Sequence, residues 1–344
     1  MKLSGIPNAI LGVAMAALLG ATTSARADEI SEFYDGKTIK VIVPAGPASG
    51  YDIYARLMAE HFSDHLPGNP TVIVQNMPGA GGAKAARYYA TVGQSDGTEL
   101  LLSPQTIGTD AALGLLGGVV DVANFNWIGR FTTNVPVGVV SSAAGIDSAE
   151  ALRDGEVVFA GTSARSPTIV FPTAMNAFAD TRLKIVSGFD DTRQTFLAML
   201  QGEADGLVLG WAGLKASNQE MLDAGELKVL FQAASTPHPD LTDVPTVVEL
   251  AQTEAQKKAM RFLASSSGIG RSIAAHPDVP EARVAALRAA FAEMLADPEF
   301  LSVAEARGVE LVEPTGPEAL ESLIDDALSV DDAVLDTIRS ALGL

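Results

Sequence analysis

The sequence predicts two α/β lobes, each built on a largely parallel sheet, and three observations carry that expectation. Short β-branched runs alternate with segments whose apolar residues recur at helical spacing. The alternation pauses and then resumes after Pro136, and 344 residues are enough to bury two cores.

At the start of the chain, Lys2 precedes an apolar run from Ala9 to Ala21 that is too short to stay in a bilayer. The small residues of Ala25-Arg26-Ala27 follow. This pattern reads as a signal peptide over residues 1–27, cut before Asp28. Thr38 to Val43 then reads as a strand, and Ile53, Leu57, Met58, Phe62 and Leu66 mark a helix. Thr71 to Gln75 is a second strand, Gly82 to Val92 a small-residue helix and Glu99 to Leu102 a third strand. Beyond Pro136, strands are expected at Val157 to Phe159, Lys184 to Ser187, Leu207 to Leu209 and Lys228 to Gln232, with helices between them. Pro280 to Ala296 has proline in its first turn and an apolar face, and Asp297-Pro298 caps a further helix that stops at Gly308.

Composition removes several function classes. Acidic residues outnumber basic ones by 42 to 23, a net charge of −19 that becomes −21 once Lys2 and Arg26 leave with the leader. Nucleic acid and anionic lipid are excluded as partners on that balance. The same field repels an anionic ligand, so an anion site must be made from local dipoles or one or two placed cations. Cysteine is absent, which rules out disulfides, thiol catalysis and thiolate metal sites. His61 and His65 stand i to i+4 on a helix without an accompanying H-E-x-x-H pattern, so no metal or cofactor is expected.

Two glycine-rich turns follow strands in the first lobe: Gly46-Pro47-Ala48-Ser49-Gly50-Tyr51-Asp52 and Pro78-Gly79-Ala80-Gly81-Gly82. Each precedes a helix, so exposed amides and the positive helix end can receive a carboxylate there. Tight-turn geometry explains either turn equally well, and Ser49 with Asp52 fits a capping box. The second turn lacks G-x-G-x-x-G spacing, and no phosphate loop occurs anywhere.

Val41-Ile42-Val43-Pro44, Asp52-Ile53, Ala55-Arg56-Leu57 and Gln75-Asn76-Met77-Pro78-Gly79-Ala80-Gly81-Gly82 together resemble the substrate-binding subunit of tripartite tricarboxylate transporters, the Bug receptors. The likeness continues through Asp96-Gly97-Thr98, Gly202-Glu203-Ala204-Asp205-Gly206 and Pro239 to Val247. It implies a type II periplasmic-binding-protein fold with a ligand cleft between lobes made of residues 28–131 plus 270–344 and of residues 132–269. It also implies a monomer that captures a small organic anion, a carboxylate, for large and small membrane subunits.

Carried over by position, the resemblance makes the two glycine turns the pincers of the first lobe. Gly46, Ser49, Gly50, Tyr51 and Asp52 belong to one, and Gly79, Ala80, Gly81 and Gly82 to the other, with Ser103, Gln105 and Thr106 facing the cleft after the third strand. From the second lobe, Thr162, Ser163, Arg165 and Ser166 form a hydroxyl-rich loop, Phe189, Asp190 and Asp191 the next, and Trp211 closes a third. Ser163 and Ser166 suit either helix capping or an oxyanion. Arg165 is the preferred charged contact, because its fork can grip a carboxylate. Tyr51, Phe189 and Trp211 suit either core packing or the walls of a site for an aromatic acid. The rival readings are a sensor input on the same fold and a periplasmic hydrolase. The hydrolase finds no G-x-S-x-G elbow among these strands.

Cleavage is directly testable. N-terminal sequencing of exported protein should return Asp28 as the first residue, and a sequence starting at Met1 would remove the leader.

Overall fold

The computed structural model describes residues 28–344, so the expected signal peptide lies outside the described residues. Ten strands form two sheets. The first contains β1 (Thr38–Val43), β2 (Thr71–Asn76), β3 (Glu99–Leu102), β4 (Asn126–Arg130) and β10 (Ser272–Ala275), in the order β2-β1-β3-β10-β4. The second contains β5 (Pro136–Ser141), β6 (Val157–Gly161), β7 (Leu183–Ser187), β8 (Gly206–Gly210) and β9 (Leu227–Gln232), in the order β7-β6-β8-β5-β9.

In the first sheet β1, β2 and β3 run parallel, while β10 is antiparallel to both β3 and β4. In the second, β6, β7 and β8 run parallel and β5 is antiparallel to β8 and β9. The parallel strands are covered by helices on both faces, which is why β3 is buried throughout. Edge strand β2 instead alternates exposed and half-buried positions. This is the two-lobe α/β architecture expected from the alternation.

The chain passes between the sheets through residues 131–135 and again through 270–271. Phe131 N–H donates to the Arg271 carbonyl and Arg271 N–H to the Thr132 carbonyl, both at 2.9 Å, so the two crossings lie side by side. Gly270 holds φ 52°, ψ −125°, and a Cβ built there would stand 2.0 Å from the Thr132 carbonyl oxygen. Only glycine fits that contact.

Helix boundaries follow local chemistry. The helix predicted through Leu66 ends at His61 and continues as a 3-10 turn over Phe62–His65. Asp297 caps Pro298–Ala306 by accepting from Glu299 N–H at 2.8 Å. In the first core Phe131 meets Phe291 edge-on at 4.7 Å between ring centroids. The helix Pro317–Leu328 packs on β4 and the helix Ile107–Ala112. The last helix, Asp332–Leu342, falls in the 270–344 stretch expected on the first lobe, yet it packs against Pro167–Phe178 and Glu254–Ile269 of the second.

That docking leaves a cavity of about 120 Å³ between the lobes, lined in part by Asp110, Arg165, Phe171 and Leu344. Burial pushes the Asp110 carboxyl up to about 6, although the Thr106 hydroxyl and Arg165 act in the opposite sense. An unfolded aspartate ionises near pH ~3.9, so between about pH 4 and 6 the unfolded chain releases a proton that the folded chain keeps. Stability from this group therefore falls as pH rises through that window.

Two stability predictions follow from these contacts. Asp110→Asn should raise the unfolding free energy at pH 7, by on the order of 2 kcal/mol, and flatten its decline between pH 4 and 6, measured by denaturant titration. Gly270→Ala should lower it by about 2–4 kcal/mol, because the added carbon forces the two crossings apart.

Candidate functional site

The loops after β1, β2 and β3 and those after β6, β7 and β8 leave the carboxyl ends of parallel strands, where an α/β sheet presents its crevice. The loop after β2 meets the loop after β6: a Cβ built on Gly81 would lie 2.9 Å from the Arg165 carbonyl oxygen. The two lobes are in contact across the crevice at that point.

The first loop is fixed by one carboxylate. Asp52 is 2% exposed, and its oxygens accept from Ala48 N–H at 2.8 Å, Arg56 Nε at 2.8 Å and Asn76 Nδ2 at 2.9 Å. Burial alone would raise its pKa, but these hydrogen bonds outweigh burial and hold it below the ordinary aspartate value. Asn76 also donates to the Ala45 carbonyl at 3.0 Å, tying the second loop to the first. Ser49 caps the helix Gly50–His61 through Asp52 N–H at 3.3 Å, as the capping reading expects, whereas the Asp52 carboxylate reaches back to Ala48 rather than to Ser49. The amides of Gly50 and Tyr51, the first two of that helix, have no acceptor among the described residues.

The second loop runs Gly79, Ala80, Gly81 and Gly82 through four successive positive φ values, 140°, 49°, 65° and 100°. The turn aligns consecutive backbone amides. Gly82 N–H closes it on the Gly79 carbonyl at 3.0 Å, while those of Gly79, Ala80 and Gly81 bond to nothing among the described residues. Gly82 has no room for a side chain, since Pro104 and Pro44 stand 2.6 and 3.1 Å from its would-be Cβ.

Behind these loops Ser103, Gln105 and Thr106 are buried. Ser103 donates to the Pro104 carbonyl at 3.1 Å, and Thr106 to Asp110 at 3.0 Å, so neither hydroxyl is free to donate. Gln105 N–H donates to the Tyr51 hydroxyl at 2.9 Å, and its side-chain oxygen accepts from Arg271 Nη1 at 3.2 Å and from Asn134. The Arg271 guanidinium lies over the Tyr51 ring, 3.8 Å from its centroid, and its Nη2 sits 3.5 Å from where a Gly50 Cβ would be.

On the second lobe, Thr162, Ser166 and Thr168 hydroxyls bond to one another, and Ser166 also donates to the Ser163 carbonyl at 2.9 Å. Arg165 donates through Nη1 to the Leu115 carbonyl at 3.0 Å, so its fork serves as a tie between lobes. Asp191 caps Thr192–Leu200 through Gln194 N–H at 2.9 Å, and Asp190 bonds the Gln194 side chain at 3.0 Å. Phe189 is half-buried beside them at the sheet edge. Trp211 is buried, with its indole N–H on Asp240 at 3.2 Å. The structure therefore brings the two glycine loops, Gln105 and the Arg165 loop together, while Asp190 and Asp191 serve a helix end.

Arg271 is a cleft residue that the reading of glycine loops passes over. A sequence signal did exist: no acidic residue occurs between Glu254 and Asp278, in a chain where acids are plentiful. By contrast, a hollow of about 480 Å³ on the second lobe is lined in part by Asp147, Glu150, Asp243 and Glu249, a set that repels anions. No group of acids and histidines among the described residues is arranged to hold a metal, and no described helix is long and apolar enough to cross a membrane.

No protein-family model matches the chain. Protein BugT of Bordetella pertussis is 27% identical over 255 residues, spanning 68% of this chain and 72% of that protein. Among solved structures, the periplasmic binding protein BugD superposes with a TM-score of 0.65 at 19% identity, covering 90% of this chain and 98% of that one. MatC from Rhodopseudomonas palustris, solved with bound malate, gives a TM-score of 0.63 at 20% identity, with 88% and 99% covered. Over about two thirds of its length the chain is thus similar in sequence to protein BugT, and it shares the fold of BugD and of a TctC solute-binding protein from Polaromonas.

Proposed function

We propose that the protein is a periplasmic receptor that closes two lobes on a small organic carboxylate and delivers it to the large and small membrane subunits of a tripartite tricarboxylate transporter. The observation that carries this reading is the pair of first-lobe loops whose amides, at Gly50 and Tyr51 and at Gly79, Ala80 and Gly81, have no acceptor among the described residues, the second of these loops lying against the Arg165 loop of the other lobe. Backbone donors of this kind bind an anion with no net charge of their own, which suits a chain of −19. Malate in a solved relative of the same fold supports a carboxylate.

Binding rather than catalysis fits the side chains. Ser103 is bonded to a carbonyl, His65 lies 3.2 Å from Asp297, and His238 accepts from Asp240 N–H at 3.2 Å. No serine–histidine hydrogen bond occurs among the described residues.

The test is thermal-shift screening of the exported protein against aliphatic and aromatic carboxylates, because a ligand that binds only the folded state raises its melting temperature. With a confirmed ligand, calorimetry should show Ser49→Ala weakened by about 1 kcal/mol, the scale of one cap or hydrogen bond. Gly81→Val should lose binding by more than about tenfold, since a branched side chain cannot adopt the turn and would prop the loop against Arg165. Full affinity in Gly81→Val would end the amide-pincer reading. Saturating ligand should also shrink the radius of gyration in solution scattering, and an unchanged radius would mean a rigid, preformed site.

A further inference from the structure

Arg271 and Gln105 carry buried donors that nothing in the described protein satisfies. Arg271 is 9% exposed and Gln105 3%, and both Arg271 Nε and Gln105 Nε2 lack an acceptor. The Gln105 orientation is forced: arginine only donates, so the amide oxygen must face Arg271 Nη1, and the amide nitrogen is left over. No carboxylate among the described residues lies within ion-pair distance of Arg271. Glu310, which with Arg271 acts on the Tyr54 hydroxyl, is itself bound to Lys215 at 3.4 Å.

An unpaired buried cation is costly unless something compensates it. Here the cation is also held in place: its face rests on Tyr51, its Nη1 is bonded to Gln105, and its backbone is pinned to Thr132 at the second crossing. Nη2 lies against Gly50, at the first turn of a 12-residue helix whose leading amides are free. Charge, fork and amides converge on one place. On the facing lobe, Arg165 is committed to Leu115 and Lys215 to Asp240 and Glu310.

Resting on the receptor reading above, we propose that Arg271, supported by Gln105 and Tyr51, is the cationic seat for one carboxylate of the ligand, and that the site prefers anions bearing a single carboxylate with an uncharged remainder. The asymmetry of the cleft gives this preference: one buried cation is available, and a second carboxylate would meet only uncharged groups, the amides of Gly79 to Gly81 and hydroxyls that already bond one another.

The experiment is calorimetry on exported protein with hexanoate, benzoate, malate and adipate as probes, with folding of each variant followed by circular dichroism. Wild type should bind hexanoate or benzoate at least as tightly as adipate, and Arg271→Met should weaken that binding by about 100-fold. Arg271→Lys should fall between the two, since it keeps the charge and loses the fork. Gln105→Glu separates seating from scaffolding, and it decides the matter if Arg271→Met fails to fold. An internal carboxylate beside Arg271 should raise the melting temperature of the unliganded protein while cutting binding by at least about tenfold. Unchanged affinity in Arg271→Met or in Gln105→Glu overturns the seat and leaves the receptor intact. Adipate bound about tenfold more tightly than both monocarboxylates overturns the single-charge preference, and a wild type that binds none of the four overturns the receptor reading with it.

Discussion

Two reciprocal hydrogen bonds between Phe131–Thr132 and Arg271 hold the chain's outgoing and returning crossings together. Both sheets are organised around that contact. Strand β4 enters it and β10 leaves it, so the antiparallel half of the first sheet is aligned by the same residues that connect the lobes. The geometry tolerates no side chain at Gly270, and it places the next residue, Arg271, on the floor of the crevice. A structural constraint on the backbone thus sets the position of a charged group.

The acidic character of the chain gives that placement its meaning. A net charge of −19 provides no long-range attraction for an anion, so attraction has to arise within a few ångströms, where screening by solvent is weak. Donors of that range are present in the unpaired amides of Gly50, Tyr51 and Gly79 to Gly81. The fold also pairs off the acid beside those amides: Asp52, next to Tyr51, spends its oxygens on Ala48, Arg56 and Asn76. The acid that looked like part of a pincer is the brace that shapes it.

How much of this could be read from the sequence depended on the type of strand. β1 and β3 coincide with their β-branched or leucine-rich runs, and β2 and the parallel strands of the second lobe differ from expectation only at their ends. β4, β5 and β10 escaped notice. Asn-Trp-Ile-Gly-Arg and Ser-Ile-Ala-Ala have weak strand character, and their conformation is imposed by the neighbours they pair with. Among site residues, the second glycine turn was legible because positive φ favours glycine, whereas Arg271 was not, since its burial depends on Tyr51 and Gln105 far away in sequence. Arg165 lies in the loop where it was expected, but its fork reaches Leu115, a choice made by lobe packing alone.

The docking of the terminal helix on the second lobe adds a third covalent span between the lobes, through residues 329–331, beside the two crossings. In mechanical terms, a pair of adjacent strands is a hinge that both bends and twists. A third connection adds a further restraint to both motions. Any movement of one lobe against the other must therefore be accommodated at three places, the two paired crossings and the 329–331 connection.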